Sequence, residues 1–332
     1  MKNKNILIIF LFIIILGIII FFVHKNNATS ISKTTFALDT VVTVTIYGTE
    51  DYDILNECLD LCKSYEMIFS TTNKNSELYG VNELFKSSYG LDIPISSELS
   101  TLIQSSLYYS NISNGSFDIT TTPLSRLWNF KEATTPPSQD DINKLLPLVD
   151  YHYIEVDDNS ILTNMQGVQL DLGAIAKGYI ADQMRNYLIS RNIKRAIINL
   201  GGNVVCIGSK PNGDSFKVGI AKPFSSRNTT FKTLSIVNKS VVTCGNYERY
   251  FEYEDKLYHH ILNPKTGYPV DNPLSSVTII SDSSVIADAL STTCYSLGID
   301  ESLRLLRKFP NVQAVFVNNL SEITTTPNLV LE

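Results

Sequence analysis

Residues 6–23 read ILIIFLFIIILGIIIFFV, a run of eighteen positions without a charge and with a single glycine. As a helix, such a run rises about 27 Å, close to the roughly 30 Å hydrocarbon core of a bilayer. Lys2 and Lys4 precede it. The positive-inside bias therefore keeps the N-terminus in the cytoplasm and sends the rest of the chain across the membrane. A cleaved signal peptide would have a shorter apolar stretch followed by a small-x-small site. Neither follows here, and no cysteine lies near residues 20–30 to accept a lipid. The reading is a single-pass cell-membrane protein: residues 1–26 an N-terminal anchor or signal segment, 27–34 a tether, and 35–332 one extracytoplasmic domain.

That domain is globular by composition, with 44% hydrophobic and 18% charged residues over the whole chain. Setting aside residues 1–26, which hold three lysines and no acid, moves the net charge from −6 to −9. An acidic domain without a basic tract is not built for nucleic acid or anionic lipid as a general partner. Any phosphate it binds has to be held locally, by backbone amides or a metal. The five cysteines, Cys58, Cys62, Cys206, Cys244 and Cys294, form no CxxC pair, and their odd number leaves at least one thiol free.

Hydrophobic periodicity predicts a strand at 41–47, helices at 52–68 and 97–109, and short strands at 153–156 and 168–170. A helix is expected at 174–191, then strands at 196–199, 204–207, 216–220, 233–237 and 241–244. Helices at 285–297 and 301–308 and a strand at 312–317 close the chain. Strands and helices mix without a strict βαβ alternation, which predicts an α+β fold: a single large mixed domain.

Signatures such as GxGxxG, GxxxxGK[ST], HExxH and GxSxG are missing. The polar residues gather instead in five segments. In GSFDITTTPLSRLW (115–128), Phe117 and the single Trp128 can line an aromatic wall and Asp118 can accept from a ligand; equally, the rings can be core and Asp118 a turn cap. In DLGAIAKGYIAD (171–182), Gly173 breaks a strand before a helix start, which is either a natural anion site with Lys177 one turn in or a plain strand-to-helix corner in which Asp171 caps the backbone. NLGGN (199–203) is either a ligand-approach loop or a plain hairpin turn. In YHHILNPKTGYP (258–269), His259 and His260 point to opposite faces of an extended segment, so at most one of them enters a pocket, and a His beside apolar Ile261 and Leu262 can equally be a satisfied structural residue. In ADALSTT (287–293), Asp288 and Thr292 share a helix face and offer the oxygen ligands that Mg²⁺ accepts.

Taken in order, FALDT, SEL (76–78), GSFDITTTPL, DLGAIAKGYIAD, NLGGNV, CGNYERYF, HHILNPKTGYP and ADALST resemble the ApbE-type FAD:protein FMN transferases over about residues 35–320. The resemblance implies an enzyme that cleaves FAD and attaches FMN through a phosphoester to a Thr or Ser of a partner protein, releasing AMP. It implies His260 as the catalytic base, and Mg²⁺ held by the Ala174 carbonyl, Asp288 and Thr292. Leu38, Ser76, Phe117, Asp118, Asp171, Lys177 and Leu262 match its flavin-site positions. The implied partners are FAD and an exported or membrane-bound acceptor protein with a Thr-containing flavinylation motif. The chain departs from the resemblance at Leu38 (often Met), Asp39 (often Gly), Cys244 (usually Ser) and Asn263 (usually Asp). Two other readings remain: an FAD pyrophosphatase that hands FMN to water, and a non-catalytic extracytoplasmic flavin-binding protein. Only an enzyme needs the base and the metal ligands.

Overall fold

A computed structural model describes residues 29–225 and 229–332. The anchor expected over residues 1–26 lies outside the described residues. No helix among the described residues is long and apolar enough to cross a membrane.

The scaffold is one eight-stranded sheet: β1 (Ser30–Ala37), β2 (Thr40–Tyr47), β3 (Ala196–Leu200), β4 (Asn203–Ile207), β5 (Ser240–Gly245), β6 (Leu274–Ser281), β7 (Gln313–Asn318) and β8 (Ile323–Thr325). The spatial order is the chain order, and every neighbouring pair is antiparallel. Helices enter as insertions between strands, so the expected α+β character is observed. Between β2 and β3 come α1 (Tyr52–Phe69), α2 (Glu77–Ser87), α3 (Ser97–Ile112), α4 (Thr122–Trp128), α5 (Gln139–Leu145) and α6 (Ala176–Ser190). Between β6 and β7 come α7 (Ser284–Leu297) and α8 (Ile299–Leu306).

Alternation along the strands divides two cores between the sheet faces. Val242, Ile279 and Phe316 face the helices, while Val241, Ile280 and Val315 face the hairpin Phe216–Ala221/Thr230–Ile236 on the other side. A third cluster forms around Trp128, Leu124, Ile142, Phe251 and Leu262. Trp128 stacks on Phe130 and Tyr258 and donates its indole N–H to the Gly267 carbonyl at 2.8 Å. It is fully buried, as is Phe117, which packs on Tyr109. Of the two readings of these rings, the core is the one observed.

Two boundaries also move. The tether expected over 27–34 overlaps β1, whose Ile31 is buried while Ser32 and Thr34 pair outward with Thr45 and Thr43. The strand expected at 168–170 has no strand partner. Instead the buried Asn82 side chain takes a neighbouring strand's place, accepting from Leu170 N (2.7 Å) and donating to Leu170 O (2.9 Å).

Candidate active site

One end of α6 and α7, packed together over β5, gathers the residues with chemistry to offer. Asp182 of α6 fastens this pair. Its carboxylate accepts from Ser284 N (2.9 Å), Val285 N (3.0 Å) and Ser283 Oγ (2.8 Å), satisfying donors at the start of α7. One turn earlier, Gly178 lets the helices touch: a Cβ there would lie 2.4 Å from Ser284 O and 2.7 Å from Asp288 Cβ. Gly178 N then donates to Asp288 Oδ2 at 2.8 Å. An α-helix would have sent that N–H to the carbonyl of Ala174, four residues back. The Ala174 carbonyl is thereby released from the ladder. The helix itself begins at Ala176, two residues later than its sequence suggests.

Asp288 is only 4% exposed. One turn on, Thr292 Oγ1 donates to Cys244 Sγ at 3.7 Å. Burial pushes the Cys244 thiol up to about 12, with Thr292 and Lys177 pulling it down and Asp288 and Glu248 raising it. These groups thus surround one spot. Among the described residues, no cluster of three or more His, Cys, Asp or Glu is placed to hold a metal. The donor set here is one carboxylate, one hydroxyl and one freed carbonyl. That set fits a hard cation such as Mg²⁺, which keeps open positions for water and substrate phosphates.

Opposite lies the histidine pair. His259 ends the strand Lys256–His259 and is buried, with Nε2 bonded to Val270 O (3.0 Å), Nδ1 accepting from Ile261 N (3.3 Å), and its ring edge-on to Tyr295. Burial lowers its pKa to about 4. His260 is half-buried and turned the other way. Its N–H donates to Arg249 O (3.1 Å), and its Nδ1 lies 3.3 Å from the same carbonyl. A carbonyl only accepts, so Nδ1 carries the proton and Nε2 keeps a free lone pair. Burial lowers the His260 pKa to about 3, helped by the charges of Arg249 and Lys177. Lys177 therefore acts on both Cys244 and His260, and it also donates to Gly173 O at 3.2 Å.

Arg249 is itself pinned. Asp39 accepts from Arg249 Nη2 (3.2 Å) and pairs with Lys131. Leu38 and Asp39 form the two-residue turn between β1 and β2, with φ of 55° and 60°. That geometry usually selects glycine or asparagine. The two ion pairs give Asp39 a reason to occupy it, and Leu38 N is held by Glu66 Oε1 at 3.0 Å.

The remaining flavin-site positions fall on stitched loops. Asp171 Oδ1 accepts from Gly173 N (2.8 Å), and Asp171 N donates to Ile119 O (2.7 Å), tying the two motifs together. Asp118 accepts from Thr120 N (2.7 Å), Thr120 Oγ1 (2.6 Å) and Tyr151 N (3.0 Å), and burial raises its pKa. Ser76 caps α2, donating to Ser70 O and Asn73 O and accepting from Tyr79 N. Leu262 sits in the Trp128 cluster. So Asp288 and Thr292 come together with Gly178 and Cys244 beside the start of α6, and Lys177 acts on both Cys244 and His260, while Ser76, Phe117 and Asp118 spend their side chains locally. Gly201 and Gly202 form a tight hairpin turn against Thr40. The sequence carries no sign of the roles of Gly178, Asp182 and Arg249, and marks Asp39 only as a departure from glycine.

A neutral imidazole and a carboxylate–hydroxyl pair, both within the influence of Lys177, are groups suited to an enzyme site. A profile of the ApbE family matches residues 38–316, and the chain belongs to that family. It is similar to proteins named FAD:protein FMN transferase. That of Klebsiella pneumoniae strain 342 is 34% identical over 276 residues, covering 82% of this chain and 84% of the relative. That of Treponema pallidum strain Nichols is 31% identical over 307 residues, covering 86% and 84%. Among solved structures, the ApbE protein of Thermotoga maritima superposes with a TM-score of 0.81 at 27% identity, over 90% of this chain and 97% of that one. The apo flavinyl transferase ApbE of Pseudomonas stutzeri gives 0.78 at 26% identity, over 90% and 94%.

Proposed function

We propose that this chain is a Mg²⁺-dependent FAD:protein FMN transferase. It cleaves the FAD pyrophosphate, joins FMN by a phosphoester to a Thr or Ser of an exported or membrane-bound acceptor protein, and releases AMP. The observation that carries this reading is His260, held neutral by burial with Nδ1 on Arg249 O, under the influence of the same Lys177 that acts on Cys244 beside Thr292 and Asp288.

In this reaction the acceptor hydroxyl oxygen bonds to the FMN-side phosphorus, its proton passes to His260 Nε2, and the bond to the AMP oxygen breaks. A hydroxyl is a poor nucleophile and needs the base; AMP leaves readily without an acid. Mg²⁺, when bound, supplies positive charge that neutralises the pyrophosphate. Lys177 adds a second charge from the His260 side. Leu38, Asp171 and Leu262 border the flavin nucleotide, while Ser76, Phe117 and Asp118 shape the loops it rests on. Residues 1–26 hold the domain to the outer face of the membrane as an uncleaved anchor, where the acceptor must also be.

The test is to incubate the purified chain with FAD and Mg²⁺, with and without exported candidate proteins, and to separate the products. Transfer gives AMP together with flavin on protein, and loses both in EDTA. AMP with free FMN whatever protein is added would establish a pyrophosphatase instead. Bound but uncleaved FAD would leave a flavin-binding protein.

A further inference from the structure

We propose that Cys244 is a positioning residue of the cation site: its sulfur accepts the hydrogen bond that the Thr292 hydroxyl donates and so turns the oxygen's lone pairs toward the metal. This rests on the metal reading above. A Thr hydroxyl carries one proton and two lone pairs. In a helix, its usual acceptor is a carbonyl three or four residues back, which uses the proton but fixes the oxygen against the backbone. The flanking residues follow that habit: Ser291 Oγ donates to Asp288 O (2.8 Å) and Thr293 Oγ1 to Ala289 O (2.7 Å). Thr292 alone among the three reaches off the helix, to Cys244 Sγ at 3.7 Å. The sulfur is fixed by the ladder, since Cys244 pairs with Val277 across β5 and β6, and α7 packs on both strands.

Each of the three oxygens thus has its orientation set by another group. Gly178 N holds Asp288 and, by turning away, releases Ala174; Cys244 holds Thr292. The resemblance carries Ser at position 244, also a hydrogen-bond acceptor, so the substitution keeps the function and lengthens the bond. The role concerns the outer support of a ligand, the kind whose loss typically costs about 10–100-fold in metal affinity.

The experiment is Mn²⁺ binding to the purified full chain, read by electron paramagnetic resonance, for the wild type, Cys244→Ala, Cys244→Ser and Asp288→Ala. Cys244→Ala should weaken binding by about tenfold. Cys244→Ser should restore it, with the metal-free melting midpoint unchanged across both. In a Thr292→Val background, Cys244→Ala should cost nothing further, because the group it orients is gone. Wild-type affinity in Cys244→Ala alongside lost binding in Asp288→Ala overturns the proposal. So does an equal loss in the Thr292→Val background. Undiminished binding in Asp288→Ala removes the metal site itself, and this role with it.

Discussion

His259 and His260 share a segment and divide its labour. His259 is an internal brace: buried, bonded at both ring nitrogens, and neutral because burial holds its pKa near 4. The unfolded chain takes up that proton near the ordinary value of 6.5, well before the folded one does. Stability from this residue is therefore full above about pH 6.5 and falls as pH drops toward 4. At about 1.4 kcal/mol per unit, the loss approaches 3 kcal/mol. Denaturant midpoints near pH 7 and near pH 5 should show this. A His259→Gln variant should be less stable at neutral pH but lose less on acidification. Equal pH slopes in the two proteins would contradict the linkage. His260, by contrast, is turned away from His259, with Nδ1 on the Arg249 carbonyl, which leaves Nε2 as the nitrogen that can accept.

At the scale of elements, the site is a consequence of how α6 meets α7. Ala at an exposed helix position is worth up to about 1 kcal/mol over Gly. At Gly178 the sign should reverse, because the new Cβ meets Ser284 O and Asp288 Cβ. Gly178→Ala should lower the melting midpoint and weaken Mn²⁺ binding together; a stabilised variant with normal binding would show that the helices do not touch there. Asp182→Ala removes the acceptor for three donors at the start of α7 and should cost about 1–2 kcal/mol in denaturant unfolding. These contacts explain what could be read from sequence and what could not. Asp288 and Thr292 are legible because a helix repeats every 3.6 residues, so i and i+4 share a face. Asp182 and Gly178 act on residues more than a hundred positions away, and no local period reports that. β6 escaped notice because it is buried on both faces and its serines break any alternation. At the false strand 168–170, both backbone groups of Leu170 bond to one asparagine side chain instead of a neighbouring strand.

For the molecule as a whole, β1 is a sheet-edge strand that begins at Ser30, opposite Tyr47, at the far end of the hairpin from the Leu38–Asp39 turn. Residues 24–29, between the apolar run and that strand, reach at most about 20 Å when fully extended. If the anchor is kept, the start of β1 stays within that reach of the membrane, and the acceptor must be on the same side of it. The chain should fractionate with membranes, with the domain open to protease added outside. A soluble mature form beginning after about residue 26 would contradict the anchor. The acidic domain gives no long-range pull on an anionic dinucleotide, so FAD affinity should depend on the cation far more than on ionic strength.

The central claim is that His260 takes the proton from the acceptor hydroxyl. Its most direct measurement is the rate of covalent flavin attachment, followed by intact mass of the acceptor at saturating FAD, Mg²⁺ and acceptor. Wild type should add one FMN per acceptor site with matching release of AMP. His260→Ala should bind FAD normally yet transfer about 10²–10⁴-fold more slowly. Because the folded His260 pKa lies near 3, the wild-type kcat/KM should show no acid limb centred near pH 6.5. Transfer by His260→Ala at the wild-type rate would contradict the account.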